Sequence, residues 1–283
     1  MNIKSVDISL LTPRLRQIPD APSKIFVSGD LFSNDEPAVA IVGTRKATAQ
    51  GLKTAKEIAE ELSNKGIIIV SGLAMGIDTA AHEGALSVGG KTVAVLGNGL
   101  DKIYPAQNQN LAKEILDKGG AIVSEYDIGV PSLKQNFIHR NRIISGLSLA
   151  VVVVEAPERS GALATAGFAA RQGREVFVVP GGFNNYNYVG SHGLIRDGAR
   201  LISSVKDIFE DLGLENLDNK LKNKNMNEIE VLILEAIANA GTPMEVDKII
   251  QLTKLDAQKV NQNLASLLIK GFLEETEGGY TIQ

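Results

Sequence analysis

The stretch AVAIVGTRKATAQGLKTAKEIAEELSNKGIIIVSG, residues 38–72, holds two apolar runs with a segment of helical composition between them. Both runs are rich in Val and Ile and show no alternation of apolar and polar residues, which is typical of strands buried on both faces. The helical segment ends at Gly66, at the place where a glycine commonly terminates a helix. Two buried strands joined by a helix predict a parallel β-α-β unit.

The same alternation of apolar runs and helical segments continues to about residue 205. Four further runs are TVAVLG (92–97), AIVSE (121–125), LAVVVVEA (149–156) and EVFVVP (175–180), and ARLI (199–202) is a candidate for a seventh strand. Six or seven strands are too few for an eight-stranded barrel, so the pattern predicts an α/β fold with an open, doubly wound, mostly parallel sheet. In such sheets ligands bind beyond the carboxyl ends of the strands.

Composition excludes several kinds of site. The 283 residues are 44% hydrophobic with a net charge of −4, so the chain can bury a large core. The absence of cysteine excludes disulfides, thiolate metal sites and thiol nucleophiles. Three histidines without a recognisable ligand spacing predict no metal site, and we expect no cofactor.

The apolar runs are short. The longest, residues 149–154, is far below the length of a membrane span, and the first 30 residues hold no apolar core of a signal peptide. We therefore expect a cytoplasmic protein without a membrane span.

Composition also divides the chain into domains. We expect an N-terminal extension over residues 1–36, the α/β domain over 37–212, a polar linker over 213–227 and a small domain over 228–283. The small domain shows three amphipathic helices followed by two short strand-like runs, which predicts a winged-helix-like fold, with a plain three-helix bundle as the alternative.

The tail of the chain is acidic. From residue 222 onward there are six Lys and Arg against nine Asp and Glu, a net charge of −3. A domain that grips duplex DNA is normally basic. We therefore expect the small domain to serve protein contacts or assembly, rather than to make the protein a duplex-binding regulator.

The loop after the first strand, GTRKAT, combines a glycine, hydroxyls and cations. Gly43 permits a sharp exit from the strand, Thr44 and Thr48 offer hydroxyls, and Arg45 and Lys46 offer charge just ahead of a helix. Backbone N–H groups at a helix start, with cations beside them, suit a phosphate. The alternative is an ordinary solvated pair of cations. Neither a dinucleotide fingerprint nor a P-loop motif occurs, so Mg-ATP hydrolysis of the P-loop kind is not supported.

The second strand ends in small residues. Ser71 and Gly72 leave room for a ligand to approach the strand end, and Asp78 is placed to cap the helix expected from about residue 79. Asp78 and His82 stand four residues apart, as metal ligands on a helix can, but no third ligand follows at a recognisable spacing. We expect a helix cap and a packed or solvated histidine here.

The segment SLKQNFIHRNRIISGLS, residues 132–148, groups cations around one aromatic ring. It predicts a helix from about residue 133 with Lys134, Phe137, Arg140 and Asn141 close to one face. Four apolar residues are expected to bury the other face: Ile138, Ile143, Ile144 and Leu147. Cations beside an aromatic ring suit single-stranded nucleic acid, because the cations contact phosphates and the ring stacks on a base.

The alternative for this segment is a surface helix with Phe137 in the core. The position of the segment favours nucleic-acid binding, because it and the GTRKAT loop both follow strands of one sheet. Their cations can therefore converge on one cleft.

Six motifs, in order along the chain, resemble the DNA processing protein A family, also called DprA or Smf, and the resemblance covers roughly residues 13 to 205. They are VAIVGTRKATAQG, SGLAMGIDTAAHEGAL, YPAQNQNLA, FIHRNRIISGLS, GALATAGFAARQGREVFVVPG and GSHGLIRDGA. The resemblance implies an extended Rossmann-like domain that binds single-stranded DNA without sequence preference and is not an enzyme. The partners that it implies are single-stranded DNA, RecA recombinase loaded onto DNA during natural transformation, a second copy of the chain in a homodimer, and single-strand binding protein.

The resemblance also implies roles for particular residues. Arg45 and Lys134 would contact phosphates, and Phe137 would stack on a base. Five further residues would line the same pocket: Thr48, Ser71, Gly72, Arg140 and Asn141. Many members of the family carry Arg at the position of Met75.

One enzymatic alternative shares the general architecture. Nucleoside monophosphate phosphoribohydrolases of the LOG group carry a P-G-G turn like that at residues 180–182, continued by G-T-x-x-E. Here the chain continues FNNYNYVGSHG, without the glutamate that such an enzyme places near the sugar.

Overall fold

The computed structural model describes residues 2–10, 12–32, 36–214, 227–240, 242–276 and 278–282. Contacts divide the chain into two compact units, Met1–Glu215 and Asn216–Gln283, and each is described by itself. Of the linker expected over residues 213–227, positions 215–226 lie outside the described residues.

Over the residues that the structure describes, the larger unit is built on a nine-stranded sheet. Its strands are β1 (Ile3–Asp7), β2 (Lys24–Gly29), β3 (Ala38–Val42), β4 (Ile68–Ser71), β5 (Thr92–Leu96), β6 (Ala121–Ser124), β7 (Ala150–Val153), β8 (Glu175–Val178) and β9 (Arg200–Leu201). Their order across the sheet is β1-β2-β6-β5-β4-β3-β7-β8-β9. The seven strands from β3 to β9 pair in parallel, whereas β1 and β2 are antiparallel to their neighbours. The predicted α/β class with a mostly parallel sheet is confirmed.

The sequence predicts residues 1–36 as an N-terminal extension ahead of the first strand, and the structure differs. These residues contribute β1 and β2 to the same sheet, where β2 pairs with β6. Only part of β1 is shielded from solvent, so its sequence carries little apolar signal. The pairing partner of β2 lies about a hundred residues away in sequence, and no local pattern records it.

Helices flank the sheet. They are α1 (Pro13–Arg16), α2 (Ala49–Asn64), α3 (Ile77–Ser87), α4 (Gln109–Asp117), α5 (Lys134–His139), α6 (Asn141–Leu147), α7 (Gly161–Arg171), α8 (Val189–Arg196) and α9 (Val205–Leu212). In α2, Thr48 caps the N-terminus by accepting a hydrogen bond from the N–H of Gly51, and one face buries Ala55, Ile58 and Leu62. Gly66 ends this helix with φ of +73°, as predicted.

The strand order reverses between β3 and β7. From β3 the chain proceeds to β4 and β5 on one side, and β7 begins the series β7-β8-β9 on the other. The loops that leave β3 and β7 therefore diverge at the carboxyl edge of the sheet. A crevice opens at such a reversal, and ligands of open α/β sheets bind there.

The start of α3 differs from the sequence prediction. The helix begins at Ile77 behind Gly76, whose φ is +85°, so Asp78 lies inside the first turn and is not the cap. The buried Asp78 carboxylate accepts hydrogen bonds from the N–H groups of Gly72 and Ala74, and burial raises its pKa. Asp78 thus fixes the loop that follows β4.

His82 is packed in the core of the larger unit. Its ring is fully buried, and Nδ1 lies 2.7 Å from the hydroxyl of Thr92 on β5. Burial lowers the pKa of His82 to about 3, so the ring is neutral at pH 7.

In its described residues, the smaller unit contains three helices and a hairpin. These are α10 (Glu228–Ala240), α11 (Val246–Thr253), α12 (Ala257–Ile269), β10 (Leu273–Thr276) and β11 (Gly279–Ile282). Its core includes Ile233, Ile249, Val260 and Leu264. Its classification as a winged helix stays a prediction.

None of the helices in the described ranges combines the length and the apolarity that are needed to cross a membrane.

Candidate nucleic-acid interface

A cleft of about 590 Å³ opens at the carboxyl edge of the sheet, beside the reversal between β3 and β7. Its walls come from the loop after β3, from α5 and α6, and from the loop between β7 and α7. Five of the eight residues predicted from the sequence line it: Arg45, Lys134, Phe137, Arg140 and Asn141. Segments about ninety residues apart in the chain therefore meet at one cleft.

Arg45 and Phe137 lie against each other. The guanidinium carbon of the exposed Arg45 is 5.6 Å from the centre of the Phe137 ring, which is within the range of a cation–π contact. The ring is half-buried, and its edge packs so closely on Gly97 that a Cβ at position 97 would lie 2.9 Å from it. Phe137 is therefore neither a wholly buried core residue nor a freely exposed one.

Arg45 and Lys134 are the accessible cations of this group. Both are exposed, and Lys134 is the first residue of α5. Within the part of the chain that the structure describes, neither forms an ion pair with a carboxylate. Their charges are therefore available to an anionic ligand.

Arg140 lines the cleft but is only 4% exposed. Its Nη1 donates to the carbonyl oxygens of Gly72 and Val95, and its Nε donates to Oδ1 of Asn141 at 3.0 Å. Burial lowers the pKa of Arg140 to about 10, so the group remains charged at neutral pH. Arg140 thus ties the ends of β4 and β5 to the junction of α5 and α6.

The other three predicted residues, Thr48, Ser71 and Gly72, do not line the main cleft. Ser71 is fully buried and its hydroxyl donates to the carbonyl of Ile41 at 2.7 Å. Gly72 lines a smaller recess of about 80 Å³, and a Cβ there would collide with the guanidinium of Arg140. The Thr48 hydroxyl caps α2 and also donates to a carboxylate in the loop that follows β7.

That carboxylate belongs to Glu155, which is fully buried at the strand reversal. It accepts hydrogen bonds from the N–H and hydroxyl of Thr48 and from Nδ2 of Asn187 at 2.9 Å. The same Nδ2 donates to the carbonyl of Lys46. The burial of Tyr188 and its closeness to Glu155 raise the pKa of Tyr188 to about 12. Glu155 therefore holds the GTRKAT loop, residues 43–48, against the loops that follow β7 and β8.

Arg142 and His139 of the 132–148 segment do not line the cleft. Arg142 is 3% exposed and forms a two-pronged ion pair with Glu125 at 2.8 and 2.7 Å, and a second ion pair with Asp20 at 3.0 Å. Nδ1 of His139 lies 3.1 Å from Glu125. These contacts fasten α5 and α6 to the residue that follows β6, and α6 to the N-terminal segment.

The helix predicted from residue 133 is two helices, α5 and α6, separated at Arg140. The expected burial of Ile138 is wrong, since this side chain is 48% exposed. Ile143, Ile144 and Leu147 on α6 are buried as expected.

Two further side chains of the cleft wall, an aromatic ring and a cation, were not among the predicted site residues. Tyr104, in the loop after β5, has its ring centre 5.3 Å from that of Phe137, and the exposed Arg159 lies in the loop after β7. Both follow strands of the parallel sheet. The rule that selected the other loops, that ligands bind beyond carboxyl strand ends, could have found them.

Comparisons with known proteins show which family this chain matches. The family model described as DNA recombination-mediator protein A matches residues 9–213. Protein Smf of Escherichia coli K12 is 40% identical over 281 residues, which cover 97% of this chain and 75% of that protein. The solved structure of DNA processing protein A from Streptococcus pneumoniae matches with a TM-score of 0.69 and 42% identity, covering 74% of each chain.

A second solved structure, DNA processing protein A from Helicobacter pylori, was described for its unique single-stranded DNA binding mode. It matches with a TM-score of 0.67 and 29% identity, covering 79% of this chain and 97% of that one. The resemblance found in the six motifs is thereby confirmed. From the extent of the family match and these identities we conclude that this chain belongs to the DNA recombination-mediator protein A family, whose members are named DprA and Smf.

Proposed function

We propose that this chain is a binding protein that takes up single-stranded DNA in the cleft at the carboxyl edge of its sheet and delivers it to RecA. The observation that carries the proposal is the cleft itself, where the exposed cations Arg45 and Lys134 surround the half-buried ring of Phe137. This combination suits a flexible strand, because cations contact successive phosphates while a ring stacks on an unpaired base.

The same arrangement accounts for a preference among nucleic acids. A base that stacks on Phe137 must be unpaired, so duplex DNA can use only the cations. The ring stacks on any base, and contacts of Arg45 and Lys134 with phosphates carry no sequence information. Binding is therefore independent of base sequence.

The remaining predicted residues support the contacts. Arg140, Ser71 and Gly72 hold the strand ends beneath Phe137, and Thr48 holds the Arg45 loop through Glu155. Asn141 accepts from Arg140 and donates to the carbonyl of Gly161, which fixes the opposite wall.

Family membership supports the partners. A recombination mediator hands DNA to a recombinase, and we propose RecA, on DNA coated with single-strand binding protein, during natural transformation in the cytoplasm. We further propose that the chain acts as a homodimer and that its acidic small unit serves protein contacts. The phosphoribohydrolase alternative is not favoured, because the family match is to recombination mediators.

The first test compares single-stranded and duplex DNA of one sequence across a series of salt concentrations. We expect tighter binding of the single strand. The Arg45→Ala variant should bind more weakly, and its slope of log affinity against log salt should be shallower by about 0.7, the value for one phosphate on a single strand.

A matched control is Arg196→Ala, which removes an exposed arginine of α8 outside the cleft and should leave the slope as in the wild type. Equal affinity of the wild type for single strand and duplex would contradict the proposed function.

The second test concerns RecA. We expect the protein to speed RecA filament formation on single-stranded DNA already coated with single-strand binding protein, and the Arg45→Ala variant to do so less well. The measurement is filament assembly with the cognate RecA. No gain from the wild-type protein would remove RecA delivery from the proposal and leave the DNA binding to be judged by the first test.

A further inference from the structure

Tyr104 occupies an unusual position for a large aromatic residue. It lies in the loop after β5, 42% exposed, and its ring lines both the cleft and the smaller recess beside it. The ring is tilted by 32° from that of Phe137, with the centres 5.3 Å apart. This spacing is typical of aromatic rings in contact.

Stability of the fold does not account for this exposure. A ring that serves the core is normally covered, whereas Tyr104 is 42% exposed and lines the same cleft as Phe137. Within the described ranges its hydroxyl makes no hydrogen bond to the protein. Its apolar surface and its π face are therefore available to a ligand.

The surroundings of the two rings define the chemistry of that ligand. The recess next to them is lined by Gly72, Met75 and Pro105, which offer no charge, and its floor is the buried Arg140. The exposed cation Arg45 lines both cavities. A flat aromatic group joined to an anion, such as a nucleotide within a strand, matches an apolar two-ring surface with a cation at its rim.

We propose that Tyr104 is a second base-stacking residue, so that the rings of Tyr104 and Phe137 together receive neighbouring bases of one DNA strand. This inference rests on the proposed function, because it assigns a further contact in the same cleft. The hydroxyl has no part in the contact, so an aromatic ring is the only requirement at position 104.

The chain contains no tryptophan, so a tryptophan introduced at one position is its sole source of indole fluorescence. In the Tyr104→Trp variant a single indole replaces the ring, and stacking on a base should quench its fluorescence when oligo(dT) is added. Duplex DNA should quench it far less. The matched control is Tyr186→Trp, at an exposed tyrosine that does not line the cleft, where oligo(dT) should leave the fluorescence unchanged.

Affinity measured with labelled oligo(dT) provides a second readout. Tyr104→Ala should weaken binding about 5- to 150-fold, the range for loss of one stacked base, with the salt slope unchanged. Tyr104→Phe should bind like the wild type. Tyr104→Leu keeps an apolar side chain against Phe137 but has no π face, so it should bind as weakly as Tyr104→Ala if the ring stacks on a base.

The outcomes separate this inference from the proposed function. A wild-type protein that fails to bind oligo(dT) would overturn both. If the wild type binds, then either unchanged fluorescence of DNA-bound Tyr104→Trp or wild-type affinity of Tyr104→Leu would overturn the role of Tyr104 alone. Because Tyr104 is 42% exposed, its replacement disturbs the fold less than loss of a core ring would, and thermal melting checks that the four Tyr104 variants are folded.

Discussion

The Arg142→Ala variant should unfold more easily than the wild type, with a free energy of unfolding lower by about 3–5 kcal/mol. Arg142 is almost completely buried and pairs with Glu125 through two hydrogen bonds, of 2.8 and 2.7 Å. Glu125 is itself mostly covered, with only 12% of its side chain exposed. Removal of Arg142 leaves this carboxylate desolvated without its main partner, and that cost exceeds the value of the pair itself.

The second partner of Arg142 adds to the effect. Its Nε also donates to the carbonyl of Asp20 and lies 3.0 Å from the Asp20 carboxylate, so the variant also releases the N-terminal segment from α6. Thermal melting and urea unfolding of the full chain measure the loss, and the melting temperature should fall by on the order of 10 °C.

Two comparisons make the stability test decisive. Arg196→Ala, at an exposed arginine, should change the free energy of unfolding by no more than about 0.5 kcal/mol. At a temperature where Arg142→Ala is folded, its DNA-binding salt slope should equal that of the wild type, because Arg142 faces carboxylates and not the cleft. An Arg142→Ala protein that melts like the wild type would refute the structural role.

The Phe137→Ala variant should lose affinity for single-stranded DNA by about 1–3 kcal/mol, which is a 5- to 150-fold weaker dissociation constant. The reason is the loss of a stacking surface while Arg45 and Lys134 stay in place, so the salt slope should remain that of the wild type. Titration with labelled oligo(dT) at several salt concentrations measures both quantities.

The half-buried ring also contributes to stability, but less than a core phenylalanine, whose removal costs about 3–5 kcal/mol. The matched control is Phe183→Ala, at a ring that is 90% exposed and lies outside the cleft, and it should change neither affinity nor melting. A Phe137→Ala protein that both melts and binds DNA like the wild type would exclude stacking and packing roles alike.

Much of the fold could be predicted from local patterns. The six apolar runs are the strands β3 to β8, because parallel strands covered on both faces must be apolar along their whole length. The strands β1 and β2 were not predicted. β1 is only partly shielded from solvent, and β2 is placed in the sheet by pairing with β6, about a hundred residues away in sequence. Helix boundaries near special backbone conformations were also missed, as at Gly76, where the chain enters α3 with a positive φ.

The sequence by itself determined the fold class, the family and the loops in which candidate DNA contacts lie, because strand composition, motif order and the carboxyl-end rule are all local or sequential properties. Only the tertiary structure decided which cations of the 132–148 segment reach the cleft. Lys134 is exposed there, whereas the buried Arg140 donates to the ends of β4 and β5, and Arg142 pairs with carboxylates just after β6 and near α1. A buried charge without a partner lowers the stability of the fold. A cation in the interior therefore pairs with the carboxylate or carbonyl oxygen that the fold places within a few ångströms of it. That pairing depends on residues far apart in the chain, so spacing within the segment could not reveal it.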